Sequence, residues 1–185
     1  MIIMTPTVDN SCCFTGHRKI DSAKLPALVD NLYLEISYLV KHGIKNFYTG
    51  GALGFDTIAA LTVLRLKQRG EDTRLHLMLP CPEQYKNWSE RDVGIYKDIL
   101  ARCDSSTVLC EHYHGGAMHI RNRAMVDASK YCVCFWDNEL VKSSKTGGGT
   151  LYTVNYAKKL HRHIINLCDE PPMDTQIEFD FEPNF

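Results

Sequence analysis

Three short glycine-containing loops hold the residues best suited to chemistry. The first is Thr15-Gly16-His17-Arg18-Lys19. Gly16 lets a ligand approach the backbone closely, His17 can donate a hydrogen bond or a proton, and Arg18 offers a planar fork that matches phosphate oxygens. The second, Thr49-Gly50-Gly51-Ala52-Leu53-Gly54-Phe55-Asp56, sets paired glycines before a strongly apolar helical pattern. Such a turn aims backbone N–H groups and the positive end of a helix at one point, which holds an anion without a lysine. It is neither a P-loop nor the Gly-x-Gly-x-x-Gly fingerprint. Asp56 has two open readings: an acceptor for ribose hydroxyls, or a helix cap. The third loop, Lys145-Thr146-Gly147-Gly148-Gly149-Thr150, again joins a strand to a helix. Two such turns with Thr150 can enclose a phosphate from two sides. On this reading Gly51→Val should abolish binding and spare the fold, because a Cβ would block backbone approach.

The elements that must position these loops follow from the hydrophobic pattern. Residues 12–15 read as a strand. Leu25, Leu28, Val29, Leu32, Ile36, Leu39 and Val40 recur at helical spacing, with Gly43 as the stop. A strand over 44–49, a deeply apolar helix over 55–69 and a strand over 75–79 come next. A helix then opens at Ser89 as N-cap, followed by a strand over 107–110 and a helix over 117–130. The series closes with strand 131–136, helix 150–161 and strand 163–167. Apolar strands separated by helices predict a Rossmann-like three-layer α/β/α domain over residues 1–168, with a mainly parallel sheet of about six strands. Ligands of such sheets collect at the carboxyl ends of the strands, where strand order reverses, and all three loops fall at those ends. Residues 169–185, acidic and aromatic-tipped, read as a loosely held tail.

Bulk composition narrows the function classes. A chain of 185 residues with 44% apolar and 23% charged residues is of ordinary globular make-up. Its net charge of −1 gives no strong nucleic-acid signal. No run approaches the roughly eighteen apolar residues of a membrane span, and the first ten residues do not form a secretory signal. A cytoplasmic protein is expected. Its eight cysteines include Cys12, Cys13, Cys110, Cys132 and Cys134 inside apolar runs, where they should act as small buried hydrophobes and not as a disulfide framework. Cys132 and Cys134, two apart, should face the same side of one strand. Cys110, His112, His114 and His119 are zinc-ligand types, but histidines in a glycine-rich loop are ordinarily solvated, and no metal is expected.

Several motifs in register carry a family resemblance. Cys12-Cys13-Phe14-Thr15-Gly16-His17-Arg18 and the loop from Thr49 to Asp56 resemble the YpsA-like branch of the SLOG superfamily. So do Pro80-x-x-x-Gln84-x-x-x-Trp88, Arg121-Asn122-Arg123 with Met125-Val126-Asp127, and Gly148-Gly149-Thr150 with Thr153, over about Cys12 to Leu167. The resemblance implies a Rossmann-like sheet that binds a nucleotide-derived ligand such as NAD, ADP-ribose or AMP. It implies Asn122 and Asp127 as ligand contacts beside the three loops, while Arg123 and Asp127, which share a helix face, could instead pair with each other; Asp137 closes the fifth strand at the ligand-bearing edge. Relatives in the superfamily include cytokinin-activating phosphoribohydrolases, whose glycine motif ends in a catalytic glutamate. Thr153 stands at that position here, and a neutral hydroxyl cannot serve as the base that a carboxylate would be. Another relative is the DNA-processing protein that loads recombinase.

The reading is therefore a nucleotide-binding sensor or regulatory protein. A hydrolase of N-glycosidic or phosphoribosyl bonds is the alternative, and an interaction module tied to replication or cell division is the third. Partners would be a small-molecule nucleotide, a second copy of the chain, or a protein held by the tail. Residues 176–181 there loosely resemble a sliding-clamp-binding peptide. Tyr85 and Trp88 could stack on a base, although an aromatic beside Pro82 more often simply packs.

Overall fold

The structure, a computed structural model, describes residues 6–137 and 148–168. Six strands form one parallel sheet: β1 (Ser11–Gly16), β2 (Asn46–Thr49), β3 (Arg74–Leu79), β4 (Ser105–Val108), β5 (Tyr131–Phe135) and β6 (His163–Asn166). Their order is β4-β3-β2-β1-β5-β6, with every neighbour parallel. The chain winds outward from β1 to β4, then returns to lay β5 on the other side of β1. Strand order thus reverses between β1 and β5, where a crevice opens at the carboxyl ends.

The period-two alternation of the strands divides the core. Cys12, Phe14, Phe47, Val133 and Phe135 face α1 (Leu25–Lys41), α2 (Phe55–Gln68) and α3 (Glu90–Arg102). Cys13, Tyr48 and Cys132 face the opposite layer, α4 (Ala117–Asp127) and α5 (Gly148–Lys159). The three layers are those expected. Cys12, Cys13, Cys132 and Cys134 are wholly buried, form no disulfide among the described residues, and fill the central strands. Ser89 caps α3, its Oγ accepting from the Asp92 N–H at 3.2 Å. Gly43 and Gly70 follow α1 and α2 with φ of 89° and 93°.

Several boundaries move. The fourth strand covers Ser105–Val108 and not 107–110, all four of its residues are exposed, and Cys110 lies beyond its end, half-buried. An edge strand need not be apolar, and polar contacts set its register here: Ser105 pairs with His76, whose Nδ1 lies 2.8 Å from Ser105 Oγ. The helix expected over 117–130 ends at Asp127, and α5 begins two residues before Thr150.

His76 also explains one pH response. Its Nε2 lies 3.1 Å from Asn46 Oδ1, while Asn46 Nδ2 donates to Asn10 Oδ1, so Nε2 carries the ring proton and Nδ1 accepts from Ser105. Burial lowers its pKa below 6.5; the Asp104 charge opposes that shift, and Arg74 and Lys67 add to it. The unfolded chain then takes up the proton that the folded chain refuses, so stability falls as pH drops below about 6.5. Urea midpoints at pH 7.5 and 5.5 should show that fall, and His76→Gln should lessen it. An equal fall in both would remove His76 from the account.

Candidate functional site

The crevice at the β1/β5 switch point opens into a cleft of about 450 Å³. Thr15, Gly16, His17 and Arg18 line it from β1; Ala52 and Asp56 from the second loop; Met118, Arg121 and Asn122 from α4; and Gly148, Gly149 and Thr150 from α5. Helices that follow parallel strands run back along them, so α2, α4 and α5 all begin at this edge. Of the residues singled out in sequence, the cleft gathers Gly16, His17, Arg18, Asp56, Asn122, Gly148, Gly149 and Thr150.

The second loop departs from expectation. Its N–H groups are directed inward: Gly51 N donates to Thr49 Oγ1 at 3.5 Å, Ala52 N to Asp56 Oδ2 at 3.3 Å, and Phe55 N to the His17 carbonyl at 3.1 Å. The anion in this glycine nest is the protein's own carboxylate. Asp56 is 5% exposed, and its second partner is Arg121, whose Nη1 donates to Oδ2 at 3.4 Å. Burial raises the Asp56 pKa above 3.8; Arg121, the loop N–H groups and Arg18 pull it down without cancelling that effect.

Arg121 was not among the residues expected to bind, yet it is the most informative one in the cleft. It is 5% exposed, and its other contact is Nη2 to the Met118 sulfur at 3.6 Å. Its Nε is buried without a hydrogen-bond partner. A guanidinium carries five N–H donors, and here one long ion pair and one thioether are all they meet among the described residues. Gly50 makes room for it: a Cβ there would lie 1.1 Å from Nη1. Gly50 thus serves the site from beneath and does not line it.

Gly54 carries φ 77° and ψ −122°, and a Cβ on it would lie 2.4 Å from the Arg18 carbonyl oxygen. That close approach seats the first loop on the start of α2. Gly51, at φ 61°, is different: a side chain would run into Gln84 and Tyr96 at 3.2 Å. Valine there strains the backbone and crowds α3, so Gly51→Val harms the fold, contrary to the expectation that it would only block a ligand.

His17 is held by Asp137, whose backbone N–H donates to Nε2 at 3.0 Å. That nitrogen therefore stays unprotonated, and burial lowers the His17 pKa against the pull of the Asp137 charge. Asp137 itself lies outside the cleft, in a smaller pocket where Lys24 pairs with it at 2.8 Å. Asp127 is also elsewhere. It ends α4 at the far edge of the sheet and accepts from Tyr156 Oη at 2.9 Å. Thr153 is fully buried and donates its hydroxyl proton to the Gly149 carbonyl at 2.7 Å. His114 accepts from Gly116 N, and His119 lies edge-on to Tyr152. Lys145, Thr146 and Gly147 of the third loop, and the tail, lie outside the described residues.

Residues 12–169 match the profile of the YspA SLOG family. The chain belongs to that family. Among curated relatives, the prophage-derived protein YoqJ of Bacillus subtilis is 31% identical over 147 residues, 72% of this chain and 82% of its own length. The UPF0398 protein of Macrococcus caseolyticus is 26% identical over 140 residues, 75% of this chain and 76% of the relative. That of Halalkalibacterium halodurans is 28% identical over 127 residues, 68% and 64% of the two chains. Among solved structures, the single-stranded-DNA-binding DNA processing protein A of Helicobacter pylori superposes with a TM-score of 0.58 at 18% identity, covering 86% of this chain and 64% of that one. TM1055 superposes with 0.51 at 13% identity, covering 84% and 72%. Both likenesses carry the Rossmann-like fold. Among the described residues, no helix is long and apolar enough to cross a membrane.

Proposed function

We propose that this SLOG-family chain binds a nucleotide or nucleotide derivative through its phosphate, as a sensor or regulatory protein. The observation that carries the reading is Arg121, a buried guanidinium at the cleft whose donors are mostly unanswered. Around it the charges are uneven. Among the described residues that line the cleft, Arg18 and Arg121 stand against one acidic residue, Asp56, which Arg121 and the second loop already occupy. Among the described residues no carboxylate pairs with Arg18. The N-terminal turn of α5 adds a positive dipole end. A phosphate satisfies all of these groups together.

Hydrolysis is supported less well. Among the described residues the one acidic residue lining the cleft is engaged, Asp137 faces a separate pocket, and Thr153 spends its proton within α5. Thermal-shift screening with AMP, ADP-ribose, NAD and inorganic phosphate tests the reading. A binder at a hundredfold excess over its Kd should stabilise the fold by about 2.7 kcal/mol. Arg18→Gln should abolish that shift while changing the unliganded Tm little, because Arg18 is exposed and makes no ion pair among the described residues. No shift with any of the four would overturn the proposal. A single-stranded oligonucleotide belongs in the same screen, given the likeness to a DNA-binding protein. Release of free base on incubation with a binder would make the chain a hydrolase.

A further inference from the structure

We infer that the cleft is only part of the site, and that the same ligand extends an amino-bearing planar ring into a neighbouring groove against Trp88. This rests on the phosphate reading above. The groove, about 790 Å³, shares Arg18, Tyr113 and Met118 with the inner cleft, so the two spaces adjoin at the Arg18 side chain. Their chemistry differs. Inside, among the described residues, two guanidinium groups face one carboxylate. In the groove, Arg18 and Lys86 are matched by Glu83 and Glu111, and the apolar surface of Pro82 and Trp88 joins them. A phosphate therefore favours the inner cleft, and an uncharged ring favours the groove.

Two features select the ring. Trp88 is half-buried and lies edge-to-face with the buried Tyr96, ring centroids 5.5 Å apart at 80°, so its plane is set before any ligand arrives. Bases stack on such an aromatic with little regard for identity, for an affinity gain on the order of tenfold or more. Gln84 supplies selection. Its Nε2 donates to the carbonyls of Gly50 and Gly51 at 3.2 and 3.3 Å, so the amide cannot turn over without setting oxygen against oxygen. Its Oε1 is thereby fixed as an acceptor, and it is buried with no donor among the described residues. An exocyclic amino group answers it; a ring carbonyl at the same place would oppose it.

The test uses the two tryptophans of the chain. Trp136 lines neither space, so in Trp136→Phe protein the emission reports Trp88 alone. Titration with AMP should change that emission saturably. Inorganic phosphate should compete with AMP without changing emission, and inosine monophosphate, which has a carbonyl in place of the amino group, should bind at least tenfold more weakly. Trp88→Leu, which keeps an apolar contact for Tyr96, should weaken AMP about tenfold and leave phosphate affinity unchanged. The inference is overturned, and the phosphate reading kept, if AMP stabilises the fold but neither alters Trp88 emission nor outbinds inosine monophosphate. If no probe binds, both fall together.

Discussion

Arg121→Ala is expected to destabilise the protein by about 3–5 kcal/mol, because it leaves Asp56 buried without its counter-charge. For a chain of this size that corresponds to a fall in Tm of about 6–20 °C. The pair's own net worth is small, since both charges were desolvated to make it; the loss comes from orphaning one of them. The pH dependence separates these ideas. Burial already holds the Asp56 pKa above its ordinary value, and Arg121 is the largest effect opposing that shift. Without Arg121 the folded protein binds the Asp56 proton still more readily than the unfolded chain does. The deficit should therefore be full at neutral pH and shrink as pH falls through the raised pKa toward 3.8. Asp56→Asn in the Arg121→Ala background should recover much of the loss at pH 7. Chemical denaturation of wild type, single and double variants at pH 7 and 5 reads all of this. A double variant as unstable as Arg121→Ala alone, with no pH effect, would show that lost packing and not orphaned charge was responsible.

The layers and the strand order's consequence were legible because they depend on local periodicity. Phe14, Phe47 and Phe135 face one layer and Cys13, Tyr48 and Cys132 the other, simply because neighbours on a strand alternate. The loops were legible as well, since glycines after strands are a local signal. What those loops bind was not. The paired glycines near Gly50 read as a cradle for a foreign anion, and the anion is Asp56, six residues further on. Nothing local marks Arg121 either: its partner is 65 residues away, and its space is kept open by a glycine 71 residues away. Asp127 was misplaced for a different reason. It shares α4 with Asn122, but five helical residues carry it about 7.5 Å further from the cleft and round to another face. Asp137 lies two residues beyond the end of β5, and a strand end has two sides; Lys24 holds it on the one away from the cleft.

Gly50→Ala should reproduce the loss of Arg121 without altering Arg121. Its backbone does not require glycine's positive φ, so alanine meets no conformational objection. The obstacle is space: the new Cβ would lie 1.1 Å from Nη1 and 2.2 Å from Cζ of Arg121. An arginine side chain can swing aside at little steric cost, but here the swing breaks the pair with Asp56 and removes the guanidinium from the cleft. Stability should fall by up to the 3–5 kcal/mol expected for a broken buried pair, and phosphate-dependent stabilisation should vanish. The decisive measurement is the double variant. Gly50→Ala added to Arg121→Ala should cost nothing further, because the methyl then enters space that the arginine has left; coupling between contacting residues of about 0.5–3 kcal/mol is ordinary. Additive losses would mean that Gly50 is needed for some other neighbour. Non-additive losses, with phosphate binding absent from both single variants, would tie the paired glycines to the phosphate through Arg121 and not through their own N–H groups.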